Sequence, residues 1–175
     1  MSYTDARDGK VYRTININGK TWMAENLAFK AESGCWAYND DERNVRIYGR
    51  LYDWETAKNN TPAGWHIPSD EEWKELSDFC GGDEHVANKL KETDTTHWLS
   101  PNDGATNETG FTALPAGLRS MDGRFLGLKD VCSMWSSTEH SPTTAWYRVI
   151  NFDDGELEKD YDRKECAFAV RCIKD

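Results

Sequence analysis

A chain of 175 residues is the length of one domain, and although only 38% of it is apolar, eight Trp, seven Tyr and six Phe supply large buried areas per side chain, so one core is feasible. The net charge of −10 argues against nucleic acid, whose phosphates demand a basic surface, and against anionic membranes. No apolar run approaches the roughly 18 residues of a membrane span, so no membrane insertion by this chain is expected. Met1-Ser2-Tyr3-Thr4-Asp5 enters polar sequence at once, which is not how a signal peptide begins. The protein is therefore either intracellular, or an export signal has been removed or lies upstream.

Residues 11–23 read as a β-hairpin, with Val11, Arg13, Ile15 and Ile17 on one face and Asn18-Gly19 as a strong two-residue turn signal. From 30 to 45 the chain is polar, and Asp40-Asp41-Glu42-Arg43 reads as a solvated loop. Tyr48, Leu51, Tyr52 and Glu55 share one face of a helix predicted over 48–58, which Asn59-Asn60-Thr61-Pro62 ends. A second helix starts at Pro68-Ser69-Asp70-Glu71-Glu72, where Ser69 can cap the first turn and Glu72 completes a capping box. Trp73, Leu76, Phe79 and Cys80 then recur at helical spacing, and Gly81-Gly82 supplies the stop. A short helical turn over 86–90 leads into a polar stretch over 91–110.

From Phe111 the signals are β: short strands over 111–115, 124–126, 134–138, 145–152, 156–159 and 167–173, separated by turns such as Asp122-Gly123 and Asp153-Asp154-Gly155. A hairpin, two helices, a long loop region and a run of short strands make an α+β domain and not the alternating pattern of a parallel sheet. Nothing in the sequence divides it.

Five cysteines, Cys35, Cys80, Cys132, Cys166 and Cys172, form no CxxC pair and no zinc spacing. Two readings stay open: buried thiols acting as small hydrophobes, or one or two disulfides in an exported domain, with the pairing undetermined. His66 has no nearby Cys or His and reads as a structural residue beside a turn, and His85, His97 and His140 lie scattered in polar segments. There is no nucleophile elbow and no phosphate-cradling glycine loop, and thirty-one acids make any carboxylate pair a weak sign of glycosidase chemistry.

Several motifs occur together and in order: Asp8-Gly9-Lys10-Val11-Tyr12, Trp22-Met23-Ala24-Glu25-Asn26-Leu27, Tyr48-Gly49-Arg50-Leu51-Tyr52-Asp53-Trp54 and Pro62-Ala63-Gly64-Trp65-His66-Ile67-Pro68-Ser69. Gly110-Phe111-Thr112-Ala113-Leu114-Pro115-Ala116-Gly117, Trp135-Ser136-Ser137-Thr138-Glu139 and Val170-Arg171-Cys172 continue the series. With these motifs the chain resembles the Fibrobacter succinogenes major paralogous domain family, as one domain over 8–175 preceded by a tail over 1–7. The resemblance implies a C-type-lectin-like fold related to the formylglycine-generating enzymes. In that fold the N- and C-terminal strands share one antiparallel sheet, two helices flank it, and a long loop region ends in a second small sheet. It also implies a secreted or surface protein of Bacteroidetes-like bacteria, with a lipid anchor upstream compatible with that placement.

The chain departs from the family pattern at Thr61, Cys132, Cys166 and Ala167, so no family disulfide carries over, and a Cys132–Cys166 bridge is only a hypothesis. Calcium-dependent sugar sites of C-type lectins resemble Glu-Pro-Asn or Gln-Pro-Asp followed by Trp-Asn-Asp. Ser100-Pro101-Asn102-Asp103 and Trp135-Ser136-Ser137 lack the required acids and amides, so neither a metal nor any other cofactor is expected.

The expected function is a non-enzymatic binding or adhesion module whose glycan or protein ligand meets the late strands and their loops. Trp146, Tyr147, Arg148, Glu139, Asp153, Asp154 and Tyr161 are the candidate ligand-binding residues, since aromatics beside Arg and Asp suit saccharide stacking and protein recognition alike. Alternation places Trp146, Arg148 and Ile150 on one face and Tyr147 and Val149 on the other, while Trp135 is read as core. In related lectin-like proteins diversified by retroelements this region carries the variable residues. The alternatives are an oxidoreductase of the formylglycine-generating type, for which no active-site cysteine pair can be placed, and a structural surface protein without a discrete ligand.

Overall fold

The computed structural model describes residues 1–175. The first strand, β1 (Ser2–Thr4), pairs antiparallel with β2 (Val11–Ile17), so the segment expected as a tail belongs to a sheet. Asn18 and Gly19 take positive φ, 51° and 79°, as a two-residue hairpin turn requires, and lead into β3 (Lys20–Met23). The burial phase of β2 differs from the one expected. Tyr12 and Thr14 are buried while Val11 and Arg13 face solvent, and burial passes to Ile17 at the other end. The reason is that the two ends of the strand pack on different clusters, Tyr12 on one and Ile17, on the opposite face, on the other.

The helix expected over 48–58 is three elements. After β4 (Cys35–Trp36), α1 (Glu42–Tyr48) starts in the segment read as loop, with Asp41 accepting from the Arg43 amide as its cap. The strand β5 (Leu51–Asp53) and the helix α2 (Trp54–Asn59) follow, the latter capped by Asp53. Gly49 causes the break: its φ of 74° and ψ of −160° are open to glycine, and a Cβ there would lie 2.8 Å from both Asn26 Cβ and the Leu27 carbonyl. The aromatic residues of this stretch are core as expected, but a strand and two helices bury them.

The next segment matches its expectation closely. After β6 (Trp65–His66), α3 (Asp70–Cys80) carries the full capping box, with the Glu72 amide donating to Ser69 Oγ and the Ser69 amide to Glu72 Oε2. Trp73, Leu76 and Cys80 are buried, but Phe79 is 60% exposed and belongs to the outer side of the helix. Gly81 ends α3 at a φ of 105°, and α4 (Asp83–Leu90) follows at once.

Residues 91–115 then run without helix or strand, apart from a bridge between Lys91 and Ala113. The strand expected over 111–115 therefore starts later, because Thr112 sits at positive φ, 54°. The remaining strands are β7 (Ala116–Arg119), β8 (Phe125–Leu128), β9 (Val131–Ser141), β10 (Thr144–Asn151), β11 (Glu158–Arg163), β12 (Ala167–Phe168) and β13 (Ile173–Lys174).

Two sheets result. One has the order β1-β2-β3-β13-β6 and is antiparallel throughout, so the chain ends meet as expected, with Ile173 between Trp22 and His66. The other has the order β11-β10-β9-β7-β12-β5-β4 with β8 added beside β7. The sheet expected to be small is thus the larger of the two, and four helices accompany the pair instead of two. The class is α+β, and no helix is long and apolar enough to cross a membrane.

The core has two parts. Trp22, Trp73 and Phe111 pack ring against ring, with centroids 5.3 to 6.1 Å apart, in the larger part. Trp54, Trp135 and Phe168 anchor the other, and the Trp135 indole donates to the Tyr52 carbonyl at 2.8 Å. Cys132 belongs to the first cluster and Cys166 and Cys172 to the second, and all five cysteines are free thiols. The hypothesised Cys132–Cys166 bridge is therefore replaced by two buried thiols packing as small apolar groups.

Candidate functional site

The hairpin of β10 and β11 sits at the edge of the larger sheet, and its register sets Trp146 opposite Tyr161 and Arg148 opposite Lys159. These four share one face, because side chains two residues apart on a strand point the same way; it is covered by the start of α3 at Arg148 and open beside Tyr161 and Lys159. A register shift between β9 and β10 near Thr144 and Ala145 brings His140 to the same face. His140 stacks on Tyr161 with centroids 3.8 Å apart and planes 12° from parallel, and it meets Trp146 edge-on at 4.6 Å. Trp146 and Tyr161 cross at 88°, 5.5 Å apart. Tyr161 is 48% exposed and His140 is exposed too, while Trp146 is half-buried, so the cluster meets solvent chiefly through His140 and Tyr161. The Lys159 ammonium lies 4.0 Å over the Trp146 ring, a cation–π contact.

Beside the rings is a cleft of about 240 Å³ at the starts of α3 and α4, walled by Asp70, Glu71, Lys74, Asp83, Arg148 and Lys159. Asp70 is the first residue of α3, where the helix dipole favours a carboxylate. Arg148, 7% exposed in its side chain, holds Nη1 3.1 Å from Asp70 Oδ1. The two charges attract at that distance but are misaligned for a hydrogen bond, and both atoms are buried without a hydrogen-bond partner. Burial pulls the Arg148 pKa down, against the opposing pull of Asp70 and Asp83. Lys159 pairs with the other oxygen of Asp70, and Asp83 accepts from Ser77 Oγ. Lys159 thus touches both the aromatic group and the cleft.

Of the seven residues expected at a site, Trp146, Arg148 and Tyr161 come together. Tyr147 does not: it turns inward against Phe168 at 4.4 Å and Trp135 at 6.1 Å, and burial followed by Asp160 and Asp162 pushes its hydroxyl pKa up. Glu139 pairs with Lys164, whose ammonium lies 4.3 Å over Trp54, away from the outer face. Asp153 and Asp154 sit at the far tip of the hairpin, where the Asp154 carboxylate accepts from the Asn151 amide group and the Glu156 backbone and so serves the turn. Trp135 is fully buried, as expected.

His140, Lys159 and the cleft residues Asp70, Glu71, Lys74 and Asp83 were not anticipated. Lys159 was legible, since it precedes Tyr161 by two in a strand and must share its face. His140 needed the register shift, and Asp70 needed the packing of α3 on β10, which no local pattern carries. His66 Nδ1 lies 2.6 Å from Asp175 Oδ1 and Nε2 3.0 Å from Glu72 Oε2, linking the capping box to the residue after β13.

Fold and surface together define a mixed α+β domain with an open, aromatic-bearing face at a sheet edge. Residues 15–174 match the model of the Fibrobacter succinogenes major domain, and the chain belongs to that family. No curated protein and no solved structure matches it.

Proposed function

We propose that this domain is a non-enzymatic binding module of C-type-lectin-like fold that holds a glycan against the outer face of β9, β10 and β11. The observation that carries this reading is the contact of His140, Trp146 and Tyr161 on a solvent-facing surface. Large rings in a soluble domain are ordinarily buried, and a clustered exposed set costs solubility unless it meets a ligand. Their flat apolar faces and polar edges match the C–H faces and hydroxyls of a pyranose. The lectin-like part of the reading is supported by the shared sheet of the chain ends, the helices beside it and the long irregular stretch over 91–115. A place at the cell surface, reached through a signal or lipid anchor upstream, suits such a module.

The oxidoreductase alternative fares less well. Its chemistry needs reactive thiolates, whereas burial pushes Cys132 and Cys172 up to about 12 and Cys166 up to about 11. A glycan array probed with the wild-type chain and with Trp146→Ala, with and without chelator, tests the binding reading. Wild-type binding that survives chelator and falls at least tenfold in the variant is expected. An array silent for the wild type would point to a protein ligand or a purely structural role.

A further inference from the structure

We infer that the ligand is an uncharged oligosaccharide that spans two adjoining subsites, one sugar packed against the His140–Trp146–Tyr161 ring cluster and its neighbour seated in the cleft at the starts of α3 and α4. This rests on the glycan reading above and adds the chemical class and the footprint.

The first argument is the unmatched pair at the cleft. Arg148 Nη1 and Asp70 Oδ1 are a donor and an acceptor 3.1 Å apart, each buried and each without a hydrogen bond. An anionic ligand group would satisfy only the arginine, and a cationic one only the aspartate. A hydroxyl serves both at once, accepting from Nη1 and donating to Oδ1. Lys159 pairs with the other carboxylate oxygen, and the Asp70 and Arg148 side chains both line the cleft.

Charge balance gives the second argument. Asp70, Glu71 and Asp83 face Lys74, Arg148 and Lys159 around the cleft, three acids against three bases. Such a lining offers both donors and acceptors to hydroxyl groups, and with Lys74 held by Asp78 it carries no excess of positive charge for an anionic ligand. The chain's overall charge of −10 also opposes the approach of polyanions. Continuity is the third argument: Lys159 touches the Trp146 ring and the Asp70 carboxylate together, so the two subsites share a wall.

The test is calorimetric titration of the whole chain with cellohexaose, xylohexaose and mannohexaose as neutral probes, and hexagalacturonate and sialyllactose as acidic ones. The same runs are made on Trp146→Ala, Asp83→Asn and Lys159→Met, each checked by its melting curve. At least one neutral hexasaccharide should bind, at least tenfold more tightly than its monosaccharide. Trp146→Ala should weaken it tenfold or more, and Asp83→Asn and Lys159→Met threefold or more. Binding confined to the acidic probes would overturn the inference and leave the glycan reading standing. A neutral ligand sensitive to Trp146→Ala but indifferent to both cleft variants would overturn the second subsite alone. Silence from every probe, repeated on the array, would overturn both the inference and the reading beneath it.

Discussion

The guanidinium of Arg171 holds the side chain of Asn26: Nη2 donates to Asn26 Oδ1 at 2.9 Å and Nε to the same atom at 3.1 Å. The pair joins the last strands to the turn after the first hairpin, and Asn26 passes the link on by donating to the Tyr48 carbonyl at 2.9 Å. Arg171 also donates to the carbonyls of Met23, Phe111 and Thr112, and it lies 4.2 Å over the Phe111 ring. It is fully buried with no carboxylate ion-paired to it, and burial pulls its pKa down to about 10, which still leaves it charged at neutral pH. Three motifs far apart in the chain are thus gathered on one side chain.

Arg171→Met keeps most of the volume and orphans those carbonyls. Each unsatisfied buried acceptor costs about 1–3 kcal/mol, so a total loss of about 3–5 kcal/mol is expected after local relaxation. Arg171→Lys keeps the charge but cannot present the guanidinium's fork, and should fall in between. Urea midpoints for the three proteins check the order. A methionine variant as stable as the wild type would mean that the carbonyls find other partners.

The start of α3 supplies a second pair of expectations. Ser69→Ala removes one half of the capping box and should cost about 1 kcal/mol, while the other half, Glu72 on the Ser69 amide, remains. Trp73→Ala opens a hole between Trp22 and Phe111 and should cost about 3–5 kcal/mol. Thermal and urea melts of both variants give the ratio, and similar losses from the two would contradict this account of the core.

What could be read in advance follows from the range of the interactions. The Asn18-Gly19 turn and the Ser69 capping box are written within a few residues, so the sequence displays them. The stretch around Tyr48 misled because its aromatic spacing fits a helix, whereas the outcome turned on Gly49 pressing against Asn26 and Leu27, far away in the chain. Period-two alternation correctly paired Trp146 with Arg148, yet the partners that make a surface of them, His140 and Asp70, arrive through a register shift and a helix contact. The candidate site was legible to the extent that it lies on one strand, and beyond that it depends on pairing between elements.

The buried thiols set an alkaline limit. Cys132 and Cys172 are raised by burial from 9.0 to about 12, and Cys166 to about 11. A group whose folded pKa is raised contributes stability that is complete below its unfolded value and is lost as pH climbs through the folded one. That loss should begin near pH 9 and deepen towards 11–12. Lys91 works in the opposite sense: burial lowers its pKa, so the penalty for its charge is relieved as pH rises towards 10.5. Burial also raises the Cys80 thiol and the Tyr12, Tyr52 and Tyr147 hydroxyls, so these groups together outweigh the one amine and the net trend is downward. Urea midpoints should fall steadily from about pH 9 to about pH 11, with a shallower fall in Cys132→Ala. A flat or rising profile would show that these thiols are less confined than their surroundings imply.

Lys91 carries the last expectation. Its side chain is fully buried, and its ammonium donates to the Asp154 carbonyl at 2.8 Å and, more weakly, to the Asn151 carbonyl at 3.4 Å. The same hairpin tip is held to α4 by the Ala87 amide on the Gly155 carbonyl and to the turn before β9 by the Phe152 amide on the Asp130 carbonyl. In Lys91→Met the two tip carbonyls lose a charged donor, while the desolvation cost of the ammonium disappears as well. Hydrogen bonds from charged groups are worth about 1.5–3 kcal/mol, so a net loss of about 1–3 kcal/mol is expected. Most of it should appear locally, as faster amide hydrogen exchange over 151–157 with little change in β2 and β3. Because this ammonium already satisfies the carbonyls it meets, chelator should alter neither the melting temperature nor the exchange of the tip. A tip that loosens in chelator but not in Lys91→Met would assign the clamp to a bound metal instead.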